Sequence, residues 1–106
     1  MDYSKMSDFE INKAVGESTG EALNTEETLN LVIRNSTGRR FDPCNSWADA
    51  GPIIEKFGIG LMPFKKSPAK AWPLSVGLLS NAGVEHENPL RAAMIVYLMM
   101  HDKGEE

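Results

Sequence analysis

The sequence predicts a single α+β domain with helices packed on a small antiparallel sheet, an arrangement similar to an α/β/α sandwich. Helical patterns occupy 8–16, 47–57 and 90–100, and strand signals lie between them. The order helix, strands, helix, strand pair, helix is typical of this class. The length of 106 residues fits one domain, 1–106, with a hydrophobic core of its own.

Composition and charge are those of a soluble globular protein. Hydrophobic residues make up 42% of the chain, and its net charge of −4 disfavours a dedicated nucleic-acid binder, whose surface is usually basic. One cysteine, Cys44, excludes an intrachain disulfide and suits a reducing compartment. The N-terminus lacks the apolar core of a signal peptide, and no apolar run is long enough to span a membrane. We therefore expect a cytoplasmic protein without membrane contact.

A capping box predicts where the first helix begins. The Ser7 hydroxyl is placed to accept from the Glu10 amide, and the Glu10 carboxylate to accept from the Ser7 amide. We expect a helix over 8–16, with Gly16 near its end. The following residues, 17–27, are rich in glutamate and have no sustained period, which predicts a flexible connection.

The next stretch predicts a strand and a short antiparallel return. Apolar residues alternate over 29–34 with positions on a more solvent-exposed face, and a turn signal follows at 35–38. Residues 39–41 are expected to pair back onto the strand. Pro43 then ends the pairing, because the residue before a proline is restricted and the proline lacks an amide hydrogen.

A second helix is expected to begin at Ser46 and to end at Gly58. Ser46 is a good N-cap, with Asp49 three residues later as a weaker capping-box partner. Pro52 predicts either one kinked helix over 47–57 or a single turn followed by a helix over 52–57. The residues expected in the core are Ile53, Ile54 and Phe57.

The last third of the chain predicts a strand pair and a final helix. Strands over 59–64 and 71–76 flank a loop, and 77–87 is expected to be a second flexible connection. Asn88 is an N-cap with Pro89 at the first helical position. The helix that follows, Leu90–Met100, is apolar all round except at Arg91, so it must be covered on every side. We expect a homo-oligomer through this helix.

Several blocks of sequence match a known pattern in order and spacing. They are the opening Met1–Asn12, Phe41-Asp42-Pro43, Trp47-Ala48, Gly51-Pro52-Ile53-Ile54-Glu55 and Asn88-Pro89-Leu90-Arg91-Ala92-Ala93-Met94. In these blocks the chain resembles the NinX family of temperate, lambdoid phage proteins. The resemblance implies an accessory protein of a phage that infects enteric bacteria, with a phage α/β/α sandwich fold. It implies no assigned activity and no catalytic residues.

Cys44 is the first candidate for chemistry. A reactive thiolate needs a positive neighbour or a helix N-terminus, and Cys44 lies just before a predicted helix. With Asp42 and a base such as His86 or His101, it would form a small cysteine-dependent enzyme. The alternative is a small buried residue in a turn, and most free cysteines are structural.

No other motif predicts catalysis. One cysteine and two distant histidines do not provide metal-ligand spacing, and the sequence contains no glycine-rich phosphate loop and no nucleophile elbow. We therefore expect no enzyme, no catalytic residue, no metal and no cofactor.

Two basic hairpins remain as binding candidates. With aromatic residues beside them they would grip phosphates and stack bases, which is the nucleic-acid alternative. Otherwise the charges serve solubility and protect sheet edges. The basic residues are Arg34, Arg39 and Arg40 on one hairpin, and Lys65, Lys66 and Lys70 on the other.

The function that we expect is binding of a host or phage protein in the cytoplasm of the infected bacterium. Nucleic-acid association is the second hypothesis, and the cysteine-dependent enzyme is the third. Both tryptophans are expected to pack mainly in the core, with their N–H groups near the surface. The candidate binding residues are Arg39, Arg40, Phe41, Asp42, Cys44, Trp47, Lys65, Lys66 and Trp72.

Overall fold

The described residues form three helices and two small antiparallel sheets that share one hydrophobic core. The computed structural model describes residues 3–20, 22–62, 68–74 and 83–104. After a 3-10 turn at Tyr3–Lys5, the helices are α1 (Asp8–Thr19), α2 (Trp47–Phe57) and α3 (Pro89–Gly104). The strands are β1 (Leu23–Glu26), β2 (Leu31–Arg34), β3 (Ile59–Met62), β4 (Ala69–Pro73) and β5 (Val84–His86). The predicted α+β class is confirmed, with the strands divided between two sheets.

Each sheet is built from chain neighbours. β1 and β2 form an antiparallel hairpin in which Leu23 faces Arg34. The second sheet has the order β3-β4-β5, with Ile59 opposite Pro73 and Ala69 opposite His86. The predicted pairing of two strands is therefore confirmed, but the second strand begins at Ala69 and ends at Pro73 instead of spanning 71–76. Residues 63–67, between the two strands, lie outside the described residues.

Helix α3 lies at the centre of the fold. Every residue from Leu90 to Leu98 is buried. The three-stranded sheet packs against α3, and α1 and α2 also contact it. The chain therefore covers its own apolar helix, which removes the argument that a second copy is needed to bury it. The homo-oligomer stays a prediction.

Helix α1 begins as predicted and continues past its predicted end. Both hydrogen bonds of the capping box between Ser7 and Glu10 are present. The helix runs on to Thr19 because Gly20, at φ 83°, supplies the left-handed C-cap. Gly16 lies inside the helix and is buried: a Cβ there would lie 3.2 Å from the ring of Phe41. Gly16 therefore allows close packing rather than ending the helix.

The two predicted connections contain regular structure, so that prediction is wrong for part of each. The end of α1 and strand β1 fall within 17–27, and β5 falls within 77–87. Strand β1 gave no periodic signal because three of its four residues are exposed. It is ordered by hydrogen bonds to β2, which depend on backbone pairing rather than on side-chain pattern. Residues 75–82 lie outside the described residues.

Helix α2 is continuous from Trp47 to Phe57 through Pro52, so the alternative of a single turn followed by a helix over 52–57 is wrong. The kink expected in the other alternative stays a prediction. Pro52 is exposed, and so is Ala48, whose carbonyl loses its helical donor to the proline. Water can therefore satisfy that carbonyl. Gly58, at φ 67°, ends the helix as predicted.

The short return after β2 is confirmed as a single bridge. Arg40 pairs with Ile33, and the Phe41 amide donates to the Val32 carbonyl at 2.7 Å. Gly38, at φ 70°, makes the turn. This turn brings Arg34 close to the two arginines that follow it, because the Arg34 amide donates to the Arg39 carbonyl at 2.9 Å.

The two tryptophans differ in burial. Trp47 was expected to pack in the core, and this is wrong, because its side chain is 59% exposed. It extends the apolar stripe of α2 one turn beyond Ala50 and Ile53, which are the buried residues of that helix. Trp72 is half-buried, and its ring lies against Gly60 on the paired strand.

Candidate functional site

The loop after the return strand is anchored by a network of buried hydrogen bonds. Asn12 on α1 donates to Asp42 Oδ1 at 2.7 Å and accepts from the Cys44 amide at 3.1 Å. Asn88 donates to the Cys44 carbonyl at 2.7 Å. Both asparagine side chains join residues far apart in sequence, so the loop is held against α1 and the start of α3.

Asn88 also caps α3, as predicted. Its Oδ1 atom accepts from the amides of Leu90 and Arg91 at 3.0 and 3.3 Å. The backbone amide of Asn88 donates to Nδ1 of His86 at 2.9 Å. The one side chain therefore satisfies the open helix end and holds the loop at the same time.

Arg91 is the polar residue inside the apolar helix, and it is buried. Its Nη1 atom lies 2.7 Å from Asp8 Oδ1. Its Nη2 atom donates to the carbonyls of Tyr3 and Met6. The guanidinium therefore fastens the N-terminal turn and the start of α1 to α3, and this explains its place among apolar residues.

Beside the anchored loop lies an open cleft of about 630 Å³. The return hairpin supplies one wall, and the first turn of α2 supplies the other. The lining residues are Arg34, Thr37, Arg39, Arg40, Ser46, Ala48 and Asp49. We call this the arginine cleft.

Two carboxylates offset part of the positive charge of the arginine cleft. Arg34 Nη2 lies 3.4 Å from Asp49 Oδ1, and Arg40 Nη2 lies 3.4 Å from Asp42 Oδ2. Two of the three cleft guanidinium groups face these carboxylates, and Arg39, which also lines the cleft, pairs with no carboxylate in the described part of the chain. The Arg34 guanidinium also lies 4.8 Å from the centre of the Phe41 ring, a cation–π contact that restricts its position.

The first turn of α2 contributes polar groups that are not used for capping. The Ser46 hydroxyl makes no capping bond, so the predicted capping box with Asp49 is wrong. Asp49 is engaged elsewhere: its Oδ2 accepts from the Asp42 amide at 2.9 Å, and its Oδ1 faces Arg34. The Asp49 carboxylate cannot accept from the Ser46 amide while it makes those two contacts.

The structure brings together only some of the predicted binding residues. Arg39 and Arg40 line the cleft. Trp47 is exposed, and its neighbours in the sequence, Ser46 and Ala48, both line the cleft. Phe41 was expected at the binding surface, but it is 1% exposed and supports the cleft from the core. Asp42 is also buried and forms part of the support beneath Arg40.

The remaining predicted residues lie elsewhere. Trp72 belongs to the other sheet and does not line the cleft. Lys65 and Lys66 lie outside the described residues. The sequence interpretation missed Thr37 as a lining residue, and it treated Ser46 and Asp49 only as helix caps. Their positions in the sequence could have indicated this role. Ser46 and Asp49 begin a helix soon after the basic hairpin, and this order places their polar groups near the arginines.

Cys44 does not have the surroundings of a reactive thiolate. It is fully buried, and its Sγ lies 4.0 Å from the Asp8 carbonyl oxygen. Burial, with a smaller contribution from the negative charge of Asp8, raises the pKa of the Cys44 thiol to about 12. The thiol is therefore protonated at neutral pH, the form that is a poor nucleophile.

The two candidate bases have other partners. His86 accepts from the Asn88 amide, and the ring nitrogens of His101 lie within 3.3 Å of the hydroxyl and carbonyl of Tyr97. In the part of the chain that the structure describes, no hydrogen bond joins Cys44 to either histidine.

Among the described residues, no group of three or more histidine, cysteine, aspartate or glutamate side chains is arranged to hold a metal ion. No described helix has the length and apolar character required to cross a membrane.

Comparison with known proteins assigns the chain to a family. The model of the family described as Bacteriophage P22, NinX matches residues 2–101, which is nearly the whole chain. No curated protein matches the chain significantly. The match includes the anchored loop, the arginine cleft and the start of α3. The chain therefore belongs to the phage family described as Bacteriophage P22, NinX.

Proposed function

We propose that this phage protein is a non-enzymatic accessory protein that binds a host or phage protein in the cytoplasm of the infected bacterium. The binding surface is the arginine cleft together with Trp47, which we call the arginine face. The observation that carries the proposal is the exposed side chain of Trp47, which lies in the chain between the cleft-lining residues Ser46 and Ala48. Tryptophan and arginine are the residues most enriched where protein partners bind tightly.

The exposure of Trp47 supports binding because the side chain has a large apolar surface. At 59% exposure, much of that surface contacts water, and a partner would remove it from water with a favourable free energy. Trp47 is the first residue of an 11-residue helix, so its backbone is held in place before binding. A fixed position reduces the entropy lost on association.

The support beneath the cleft is also held in place before binding. Asp42 accepts from Asn12 and Asn45 and pairs with Arg40, so the loop, α1 and the cleft wall are joined through one carboxylate. Such second-layer contacts hold binding residues in a defined geometry. The arginine face is therefore suited to specific recognition rather than to loose charge attraction.

The two alternative functions have less support. A Cys44-centred enzyme would need a thiolate, and burial keeps this thiol protonated. A nucleic-acid surface would need several uncompensated positive charges, whereas two of the three cleft arginines already face carboxylates in a chain of net charge −4.

The test is affinity capture of tagged protein from phage-infected cells after nuclease treatment. We expect the wild-type protein to capture one protein in near-stoichiometric amount. Arg39→Glu and Trp47→Ala should lose it. Matched controls change residues of the same kind elsewhere: Lys56→Glu at the other end of α2, and Leu74→Ala, which is equally exposed at 60%.

The controls decide the outcome. Both control variants should retain the captured protein if the arginine face binds it. Equal loss from the cleft variants and the controls would contradict the proposal, and so would a capture that fills with nucleic acid only when nuclease is omitted.

A further inference from the structure

We infer that the arginine cleft binds the side-chain carboxylates of an acidic protein segment, with Arg39 as the principal contact. This inference rests on the proposed function and names the chemistry of its partner. The arginine side chain presents a planar fork of donors that matches a carboxylate with two parallel hydrogen bonds.

The chain itself shows what two of these arginines bind. Arg34 and Arg40 each face a carboxylate oxygen of the chain at 3.4 Å. Arg39 lines the same cleft, and in the described part of the chain no carboxylate pairs with it. The cleft therefore contains two internal carboxylate contacts and one guanidinium that is available for an external carboxylate.

The internal carboxylates also argue against a phosphate backbone. Asp49 lines the cleft, and its side chain is only 15% exposed, so its negative charge is poorly screened by water. A phosphodiester chain would bring successive negative charges past that carboxylate. One or two glutamate or aspartate side chains on a partner bring less negative charge, and they match the guanidinium of Arg39, with which no described carboxylate pairs.

Polar groups on the two walls complete the site. The Ser46 hydroxyl makes no capping bond, and Thr37 accepts from the Arg39 amide through its Oγ1 at 3.2 Å, which leaves the hydroxyl hydrogen of Thr37 able to donate. Both hydroxyls line the cleft. Each can donate to a second carboxylate oxygen beside Arg39.

The test uses a dye-labelled hexaglutamate peptide and fluorescence anisotropy with the full chain. We expect the wild-type protein to bind it, and Arg39→Gln to weaken binding about tenfold, the equivalent of one charge-assisted hydrogen bond. Lys56→Gln, which removes the same charge at the far end of α2, should leave the affinity unchanged. Circular dichroism checks that each variant is folded.

A second pair of variants tests the internal competition. Asp49→Asn keeps an acceptor for the Asp42 amide but removes the charge that faces Arg34, so it should tighten hexaglutamate binding severalfold. Glu55→Gln removes one negative charge from an exposed position of the same helix and should have little effect. Equal tightening by both variants would overturn the inference, because it would indicate attraction by net charge alone.

The remaining outcomes also decide. An absence of hexaglutamate binding, or an equal loss from Arg39→Gln and Lys56→Gln, would overturn the carboxylate site. Tighter binding of a dye-labelled oligothymidylate, lost in Arg39→Gln, would assign the cleft to nucleic acid instead. A partner captured through Trp47 that hexaglutamate does not displace would leave the proposed function standing without this inference. Hexaglutamate binding without any captured protein would support the carboxylate site and contradict the proposed function.

Discussion

The backbone amide of Asp42 donates to Oδ2 of Asp49 at 2.9 Å, and the other oxygen of that carboxylate lies 3.4 Å from Arg34. One side chain therefore joins the end of the return strand, the first turn of α2 and the hairpin arginine. These are the three parts that form the arginine cleft.

Asp49→Ala should destabilise the fold by about 1–3 kcal/mol, because it leaves the Asp42 amide without its acceptor and Arg34 without this charge. Asp49→Asn should cost less, since an amide oxygen can still accept from Asp42. Urea unfolding of the three proteins measures the difference. Equal stability of Asp49→Ala and the wild-type protein would show that the cleft wall does not depend on this contact.

The role of Asp49 was not predictable from local sequence. Its position three residues after Ser46 matches a capping box, and the local pattern cannot reveal that a distant amide and an arginine compete for the same carboxylate. Where the capping oxygen has no distant partner, the cap predicted from the local sequence is confirmed. The capping box at Ser7 and the cap at Asn88 are both present.

Arg91→Lys should destabilise the protein by about 1–3 kcal/mol, although it keeps the positive charge. A lysine cannot reach the Asp8 carboxylate and the carbonyls of Tyr3 and Met6 with one fixed fork of donors. Arg39→Lys is the matched control, because Arg39 is exposed and should tolerate the change. Thermal unfolding of both variants tests this, and equal melting temperatures would contradict it.

Burial of Arg91 also limits what a hydropathy pattern can predict. The pattern correctly placed a covered helix over Leu90–Met100, and Arg91 was noted there only as the one polar interruption. Its partners come from the N-terminal turn and α1, more than 80 residues earlier in the chain. Their proximity depends on the packing of α1 on α3, which no local period encodes.

Cys44 should not react with iodoacetamide in the folded protein and should react once urea unfolds it. Because burial raises its pKa to about 12 while an unfolded thiol has a pKa of about 8.5, the unfolded state loses this proton first as the pH rises. The stability linked to Cys44 is therefore complete below about pH 8.5 and falls above it. Rapid modification of the native protein at neutral pH would contradict the assignment.

The control for this pH dependence is Cys44→Ala. That variant lacks the titrating thiol, so its stability should decline less steeply than that of the wild-type protein across the alkaline range. Parallel decline of the two proteins would show that other groups determine the alkaline stability.

The capping box of α1 should contribute to the loss of stability in acid. The hydrogen bonds from the Ser7 amide and hydroxyl hold the pKa of Glu10 below its usual value. The stability that Glu10 contributes is therefore present above the unfolded pKa of about 4.3 and is lost as the pH falls through the lowered folded value. Glu10→Gln should lose less stability than the wild-type protein on acidification, as measured by urea unfolding at about pH 7 and about pH 3.

Ser7→Ala is the companion variant for the same cap. It should destabilise the protein by about 1 kcal/mol at neutral pH, because the Glu10 amide loses its acceptor. Ser36→Ala, in the exposed turn after β2, is the control and should have no effect. Equal stability of the Ser7 and Ser36 variants would show that the cap does not contribute.

The proposed binding surface was predicted only in outline. The basic hairpin and Trp47 were named, but Phe41 was placed at the surface and Trp47 in the core. Whether the first residue of a helix is buried depends on how far the core reaches toward the N-terminus of that helix. In α2 the first buried residue is Ala50, so Trp47 lies beyond the core. The apolar pattern alone does not set that limit.

Site-specific photocrosslinking in infected cells tests the central claim most directly. A photoreactive phenylalanine analogue replaces Trp47 in one protein and Leu74 in another, two apolar side chains that are exposed to a similar degree. We predict a crosslink to one partner protein from position 47 and none to that protein from position 74. The same crosslink from both positions, or one from position 74 alone, would contradict binding through the arginine face.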